Sequence, residues 1–263
     1  MKKSALFFDI DGTLLSEVTK KIPVSAINAM KAAKKAGHML FINTGRTICN
    51  IPAELRQFDF DGFLCGCGTA LVYHDELLFS SSIEEIRGKK IIDKMMKCNL
   101  EGLAEGMDDV YLPSRISRFD RLESSRRYFR NAGLGLENYL ENGRFIYDKL
   151  FVYADKQSDR KTFFDFISED MEILTRGGDT YECIQKGYSK ATACDFIAQK
   201  FNLDREQVYV FGDSTNDISM FEYAVHTVAM GNHAAELDPY TEFVTSEVEE
   251  DGISNAISHY NLL

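Results

Sequence analysis

The sequence predicts an α/β protein, a doubly wound and mostly parallel sheet core interrupted by an inserted α+β cap domain. Three observations predict it. Short continuous apolar runs at 5–10, 39–42 and 208–211 suit strands buried on both faces. Helix-period segments alternate with these runs at both ends of the chain. From Ser82 to Lys186 the texture changes to longer polar helices, glycine joints at Gly102, Gly106, Gly133, Gly135, Gly177 and Gly178, and isolated apolar stretches such as 150–153. The expected division is therefore 1–81 and 187–263 for the core and 82–186 for the cap.

The first strand, 5–10, is cut by Asp9 and Asp11. Residues 23–36 follow with Val24, Ile27, Met30 and Ala33 at helical spacing, and Gly37 stops that helix. A second strand, 39–42, begins at once. Strand, helix, strand with short connections gives a parallel pair with a right-handed crossover, so Asp9 and Asn43 share one edge of the sheet. Open α/β sheets bind their ligands on that edge. The C-terminal part repeats the pattern. Ser189 caps a helix running to Phe201, 208–211 is a strand, a helix starts near Asn216, and short strands lie near Val228 and Val244.

At 263 residues, folding buries roughly 70–75% of the unfolded chain's surface, enough for a packed core without staples. The 44% apolar and 27% charged content is that of a soluble globular protein. No stretch approaches the roughly 20 apolar residues that cross a bilayer, so no membrane association is expected. The basic start lacks a signal peptide's uninterrupted apolar stretch and small-residue cleavage site. Cys49, Cys65, Cys67, Cys98, Cys183 and Cys194 are scattered without a C-x-x-C pair, which points to reduced buried thiols and a cytoplasmic location. A net charge of −11 argues against a nucleic-acid partner. The basic stretch 115–130, with Arg118, Arg121, Arg126 and Arg127 among acids, reads as a solvated helix face.

The chemistry concentrates where strands end. In Phe7-Phe8-Asp9-Ile10-Asp11-Gly12-Thr13, two carboxylates flank one residue at a glycine turn. Ionised carboxylates crowded at a sheet mouth need compensation, and magnesium, which takes one or two carboxylates plus waters and phosphate oxygens, supplies it. Alone, the segment is equally well a strand-ending turn with an Asx cap. The second acidic segment, Phe211-Gly212-Asp213-Ser214-Thr215-Asn216-Asp217, again follows an apolar strand, so two acidic clusters converge. Asp217 also suits a plain helix-start carboxylate. Asn43-Thr44-Gly45-Arg46 offers a hydroxyl, backbone amides and a guanidinium where a phosphoryl group would sit, and Lys190 can add a point positive charge.

The ordered set DIDGT, NTGR, Lys190 and GDSTND resembles the four motifs of the haloacid dehalogenase superfamily of phosphatases. The placing of the insertion between the second and third motifs resembles the Cof-type subgroup with a large α/β cap. Val228-Ala229-Met230-Gly231-Asn232, Phe243-Val244-Thr245 and Asp251-Gly252-Ile253 extend the match, which covers both ends of the chain well and the middle poorly. The resemblance implies a Mg2+-dependent phosphatase acting on a small phosphorylated metabolite, sugar phosphates foremost. A phosphomutase or phosphotransferase using the same intermediate is the alternative. It implies Asp9 as the phosphorylated nucleophile and Asp11 as general acid, then base. Metal ligands would be Asp9, the Asp11 backbone carbonyl and Asp213. Thr44 and Lys190 would bind phosphoryl oxygens, with Gly12, Gly45, Arg46 and Asn216 binding phosphate or substrate and Asp217 in support. One departure stands out: Gly66-Cys67-Gly68-Thr69 occupies the place where Cof-type chains often read Asn-Gly-Ala.

Overall fold

Every residue of β1 (Ala5–Phe8) is buried, as a strand covered on both faces requires. The computed structural model describes residues 3–263, and the basic start at Met1 and Lys2 lies outside them. After β1 come α1 (Val24–Lys35), β2 (Met39–Asn43), α2 (Ala53–Arg56), β3 (Gly62–Cys65), β4 (Ala70–Tyr73) and β5 (Glu76–Ser80). The middle of the chain holds α3 (Glu85–Lys97), β6 (Glu101–Glu105), β7 (Val110–Tyr111), α4 (Asp120–Asn131), β8 (Lys149–Tyr153), α5 (Arg160–Ile167), β9 (Met171–Thr175) and β10 (Thr180–Gln185). It closes with α6 (Lys190–Phe201), β11 (Val208–Gly212), α7 (Ile218–Tyr223), β12 (His226–Ala229), β13 (Phe243–Val244) and α8 (Gly252–His259).

By its contacts the chain divides into two units. The first comprises the chain to Gly45, Pro52–Phe79 and Tyr188–Leu263, and the second Arg46–Ile51 and Ser80–Gly187. In the first, eight strands run in the order β13-β12-β11-β1-β2-β3-β4-β5. The pairings from β13 through β3 are parallel, and the β3–β4 pair is antiparallel. One apolar cluster joins Phe7, Phe41, Val210, Ile197 and Phe221 across strands and helices. The strand order reverses direction of travel between β1 and β2 on one side and β1 and β11 on the other. The C-terminal ends of these three strands therefore form the crevice edge at which such sheets hold ligands.

The second unit is a five-stranded sheet in the order β7-β6-β8-β10-β9, antiparallel in each described pairing. One face packs Ile91, Ile92, Leu150, Val152 and Phe163 from the sheet, α3 and α5. Segment 46–51, expected in the core, groups with this second unit. Composition marks where texture changes, and this short segment has core-like texture but second-unit contacts.

Helix ends follow local chemistry. Ser189 and Thr192 form a reciprocal capping box at the start of α6, and Asn202 closes the helix in the left-handed conformation. The helix expected near Asn216 starts with a single 3₁₀ turn, 215–217, before α7. The basic stretch is only partly a solvated face. Arg126 is buried and donates to the carbonyls of Pro113 and Arg115, while Arg121 donates to Gly177 O and Thr180 Oγ1. The Arg126 guanidinium thereby satisfies two loop carbonyls. All six cysteines are free, and all but Cys49 are buried. Among the described residues no helix is long and apolar enough to cross a membrane.

Candidate active site

β1 and β11 pair in register, Phe8 opposite Phe211, so the residues that follow them emerge side by side. Asp9 N–H donates to Phe211 O at 3.0 Å, and Asp9 is only 4% exposed. Ligand oxygens of Asp9, Asp213 and Asp217 all lie within 4.8 Å of one another. Lys190, at the first turn of α6, inserts its ammonium among them. Its Nζ lies 2.6 Å from Asp9 Oδ1 and 2.5 Å from Asp217 Oδ1, and it donates to Asn216 Oδ1 at 3.4 Å. The Lys190 side chain is fully buried.

Asp217 is consumed by structure. Beyond Lys190, its Oδ2 accepts N–H groups from Asp213 and Ser214, each at 3.0 Å, which fixes the loop after β11. Asp213 is held by Thr13 Oγ1, which donates to its Oδ1 at 2.7 Å. Gly12 lies against the same carboxylate: with φ of +81°, a Cβ there would come within 2.5 Å of Asp213 Oδ2. Gly212 is equally tight, since its Cβ would meet Asp217 Cγ at 2.6 Å.

Three carboxylates around one ammonium leave excess negative charge in a buried site. Burial, partly offset by Lys190, pushes the Asp9 carboxyl up to about 6. Burial, with the Asp9 carboxylate beside it, pushes Asp213 up to about 8. Lys190 moves the other way from what burial alone would do, because Asp217 and Asp9 hold its charge and raise its pKa. The oxygen donors of Asp9, Asp213 and Asp217 are of the type that a small hard cation takes, and Asp217 is already engaged by Lys190 and two backbone N–H groups.

Thr44 is buried after β2, its N–H donating to Leu64 O at 2.8 Å and its carbonyl accepting Cys67 N–H at 3.1 Å. A Cβ on Gly45 would lie 3.4 Å from Cys67 Sγ and 3.8 Å from Asn216 Nδ2, which puts the loop after Thr44 beside the Asp213 loop. Cys67 itself takes the left-handed conformation, φ +57°, usually reserved for glycine or asparagine.

A family model described as haloacid dehalogenase-like hydrolase matches residues 6–257. The chain is a haloacid dehalogenase-like hydrolase. Within that family it belongs with the phosphatases of the Cof type. YkrA of Bacillus subtilis (strain 168) is 25% identical over 269 residues, covering all of both chains. The 5-amino-6-(5-phospho-D-ribitylamino)uracil phosphatase YwtE of the same organism is 27% identical and covers 94% of each chain. Among solved structures, the HAD subclass IIB sugar phosphatase BT4131 superposes with a TM-score of 0.81 at 25% identity, covering 99% of this chain and 100% of that one.

For this hydrolase the structure gathers Asp9, Asp213, Asp217, Lys190, Asn216 and Gly12 into one cluster in the first unit. The Asp11 side chain is not among them: it is exposed on the turn, two residues beyond Asp9. Arg46 falls in the second unit, where its Nη1 donates to Tyr128 Oη at 2.6 Å and Asn50 O at 3.2 Å. Two contributors, Thr13 and Asn43, stand in the DIDGT and NTGR motifs without a role of their own in the sequence reading. Thr13 was visible only as the last letter of DIDGT. Asn43, fully buried, donates from Nδ2 to the Lys190 carbonyl at 2.9 Å and so ties the end of β2 to the start of α6. Its signals were its place at the head of NTGR and a polar residue closing an apolar strand.

Proposed function

We propose that this enzyme hydrolyses small phosphorylated metabolites, sugar phosphates foremost, through a phosphoryl group carried on Asp9 with Mg2+ bound beside it. The supporting observation is the buried Asp9 with Lys190 Nζ at 2.6 Å and the Asp213 carboxylate in the same cluster. Asp9, the Asp11 backbone carbonyl and Asp213 would hold the metal. When bound, Mg2+ neutralises charge on the phosphoryl oxygens and on the crowded carboxylates.

The side chains divide the remaining work. The Asp9 carboxylate attacks phosphorus, forming one P–O bond as the ester P–O bond breaks. Asp11, on the exposed turn, gives its proton to the departing oxygen. It then takes a proton from water as that water's oxygen attacks the same phosphorus and Asp9 leaves. Lys190 and Thr44 bind the equatorial oxygens, Gly12, Gly45 and Asn216 shape the cradle around them, and Asp217 keeps Lys190 charged and in place. The second unit, the cap expected from the sequence, sets which ester is accepted, with Arg46 among its substrate contacts. Sugar phosphates lead because BT4131 is named as a sugar phosphatase, with YwtE naming a phosphoribityl substrate.

Phosphate release measured across a few dozen phosphorylated metabolites, with Mg2+ and then with excess chelator, tests the reading. Release should need Mg2+ and favour sugar phosphates. Full activity in chelator, or isomerised product without free phosphate, would overturn it.

A further inference from the structure

β1 and β2 pair in parallel register, Phe8 opposite Ile42, so the next residues on the two strands, Asp9 and Asn43, leave the sheet side by side. Asn43 is fully buried. Its Nδ2 donates to the Lys190 carbonyl at 2.9 Å and faces two weaker acceptors, Cys194 Sγ at 3.2 Å and Met220 Sδ at 3.6 Å. The same lysine returns its ammonium to Asp9 Oδ1, 2.6 Å away. Neighbouring strands thus grip one residue at both ends, β2 by its backbone and β1 by its side chain.

Fold stability gives a poor account of this amide. In an α-helix each carbonyl accepts the N–H four residues on, so the Lys190 carbonyl, at the start of α6, does not need Asn43 for a partner. On the other side of the amide, Oδ1 is buried and meets no donor among the described residues. A buried acceptor in that state loses its hydration without replacement, which offsets the one neutral hydrogen bond that Nδ2 makes to oxygen.

Position is what the bond supplies. Lys190 is the first residue of α6, and its flexible four-carbon stem must deliver Nζ into a fully buried slot between Asp9 and Asp217. The Ser189–Thr192 capping box ties the helix start to itself. Apolar packing of Ala193, Cys194 and Ile197 seats α6 in the core, but such packing has no direction. The Asn43 bond is directional, and it runs from the strand next to the one that carries Asp9.

We propose that Asn43 is a positioning residue: it fixes the Lys190 backbone so that the ammonium meets Asp9, and it touches no substrate itself. The proposal rests on the phosphatase reading, in which Lys190 binds the phosphoryl oxygens. Misplacing such a group by about 1 Å costs roughly 100-fold in rate, so loss of the tie falls on turnover and spares folding.

A double-mutant cycle of Asn43→Ala and Lys190→Met tests it, read as kcat for an aryl phosphate and as the urea midpoint. Asn43→Ala should lower kcat about tenfold or more while the urea midpoint stays close to the parent's. In the Lys190→Met protein the same change should lower kcat by less than about twofold, because the group it positions is gone. Asn43→Ser, whose hydroxyl stops one bond short of the carbonyl, should repeat both results and replaces the alanine variant if that one does not fold. An equal loss in both backgrounds, as a merely structural role would give, overturns the proposal. So does kcat within about threefold of the parent in the single Asn43 variants. Lys190→Met turning over at the parent rate would instead overturn the phosphatase reading of Lys190, and the proposal with it.

Discussion

Replacing Gly12 by alanine tests how closely Asp213 must be placed. A Cβ at Gly12 would lie 2.5 Å from Asp213 Oδ2 and 2.8 Å from Cγ, where ordinary contact begins at 3.4 Å. The carboxylate must therefore retreat by about 0.9 Å, against the Thr13 hydrogen bond that holds its other oxygen at 2.7 Å. Misplacing a reacting group or its partner by about 1 Å costs roughly 100-fold in rate. The left-handed backbone, φ +81°, adds about 1–2 kcal/mol of strain for any residue with a Cβ. Gly37→Ala separates the two effects, since its φ is +99° but nothing lies within 4 Å of the added carbon. Both variants should lose about 1–2 kcal/mol in urea unfolding. Only Gly12→Ala should lose about 100-fold in turnover of an aryl phosphate, with Mg2+ affinity about 10–100-fold weaker. Turnover by Gly12→Ala within about threefold of Gly37→Ala would refute the claim that Asp213 is held for the metal.

Further outcomes follow from the same geometry. Lys190→Met should lose at least about 100-fold in turnover, and Lys190→Arg should not restore it, because the fully buried ammonium site has no room for a guanidinium fork. The proposed Mg2+ would compete with protons on Asp9 and Asp213, whose carboxyls are pushed up to about 6 and about 8, so titrations from pH 6 to 8 should show affinity rising by up to about tenfold per pH unit. Raised carboxyls bind protons more tightly folded than unfolded. Their contribution to metal-free stability is full below about 3.8 and lost as pH rises through about 8, so Tm in chelator should fall across that window and Mg2+ should restore it. In the second unit, buried Lys149 lies 2.6 Å from Glu182 and 3.9 Å from buried Glu105, and Lys149→Met should cost about 3 kcal/mol in unfolding, because Glu105 loses this ammonium while Glu182 keeps only Arg176.

Much of this site is legible in the sequence because buried parallel strands impose it. Phe8 and Phe211 end continuous apolar runs, and register then delivers Asp9 and Asp213 to the same edge. Ser189 as a cap placed Lys190 at the first turn of α6, where its side chain reaches back to Asp9. Contacts that cross between segments were not legible. The Asn43 amide meets the Lys190 carbonyl 147 positions away, and nothing local marks that pairing. Segment 46–51 reads as the continuation of the Thr44 loop, yet Arg46 bonds Tyr128, 82 positions on, and the segment belongs with the second unit. In the basic stretch, charge pattern alone could not separate Arg127, exposed on α4, from buried Arg126, whose guanidinium is spent on the carbonyls of Pro113 and Arg115.

The central claim is that phosphate passes through Asp9 and that Asp11 manages the proton. Rapid quench of the Asp11→Asn protein with a radiolabelled aryl phosphate tests it most directly. That variant keeps the attacking carboxylate, and an activated leaving group needs little protonation, so it should become labelled. With no base to activate water, the label should accumulate as an acid-stable, hydroxylamine-labile acyl phosphate, and Asp9→Asn should carry none. Label on Asp9→Asn, or turnover of Asp11→Asn at the parent rate, would contradict the account.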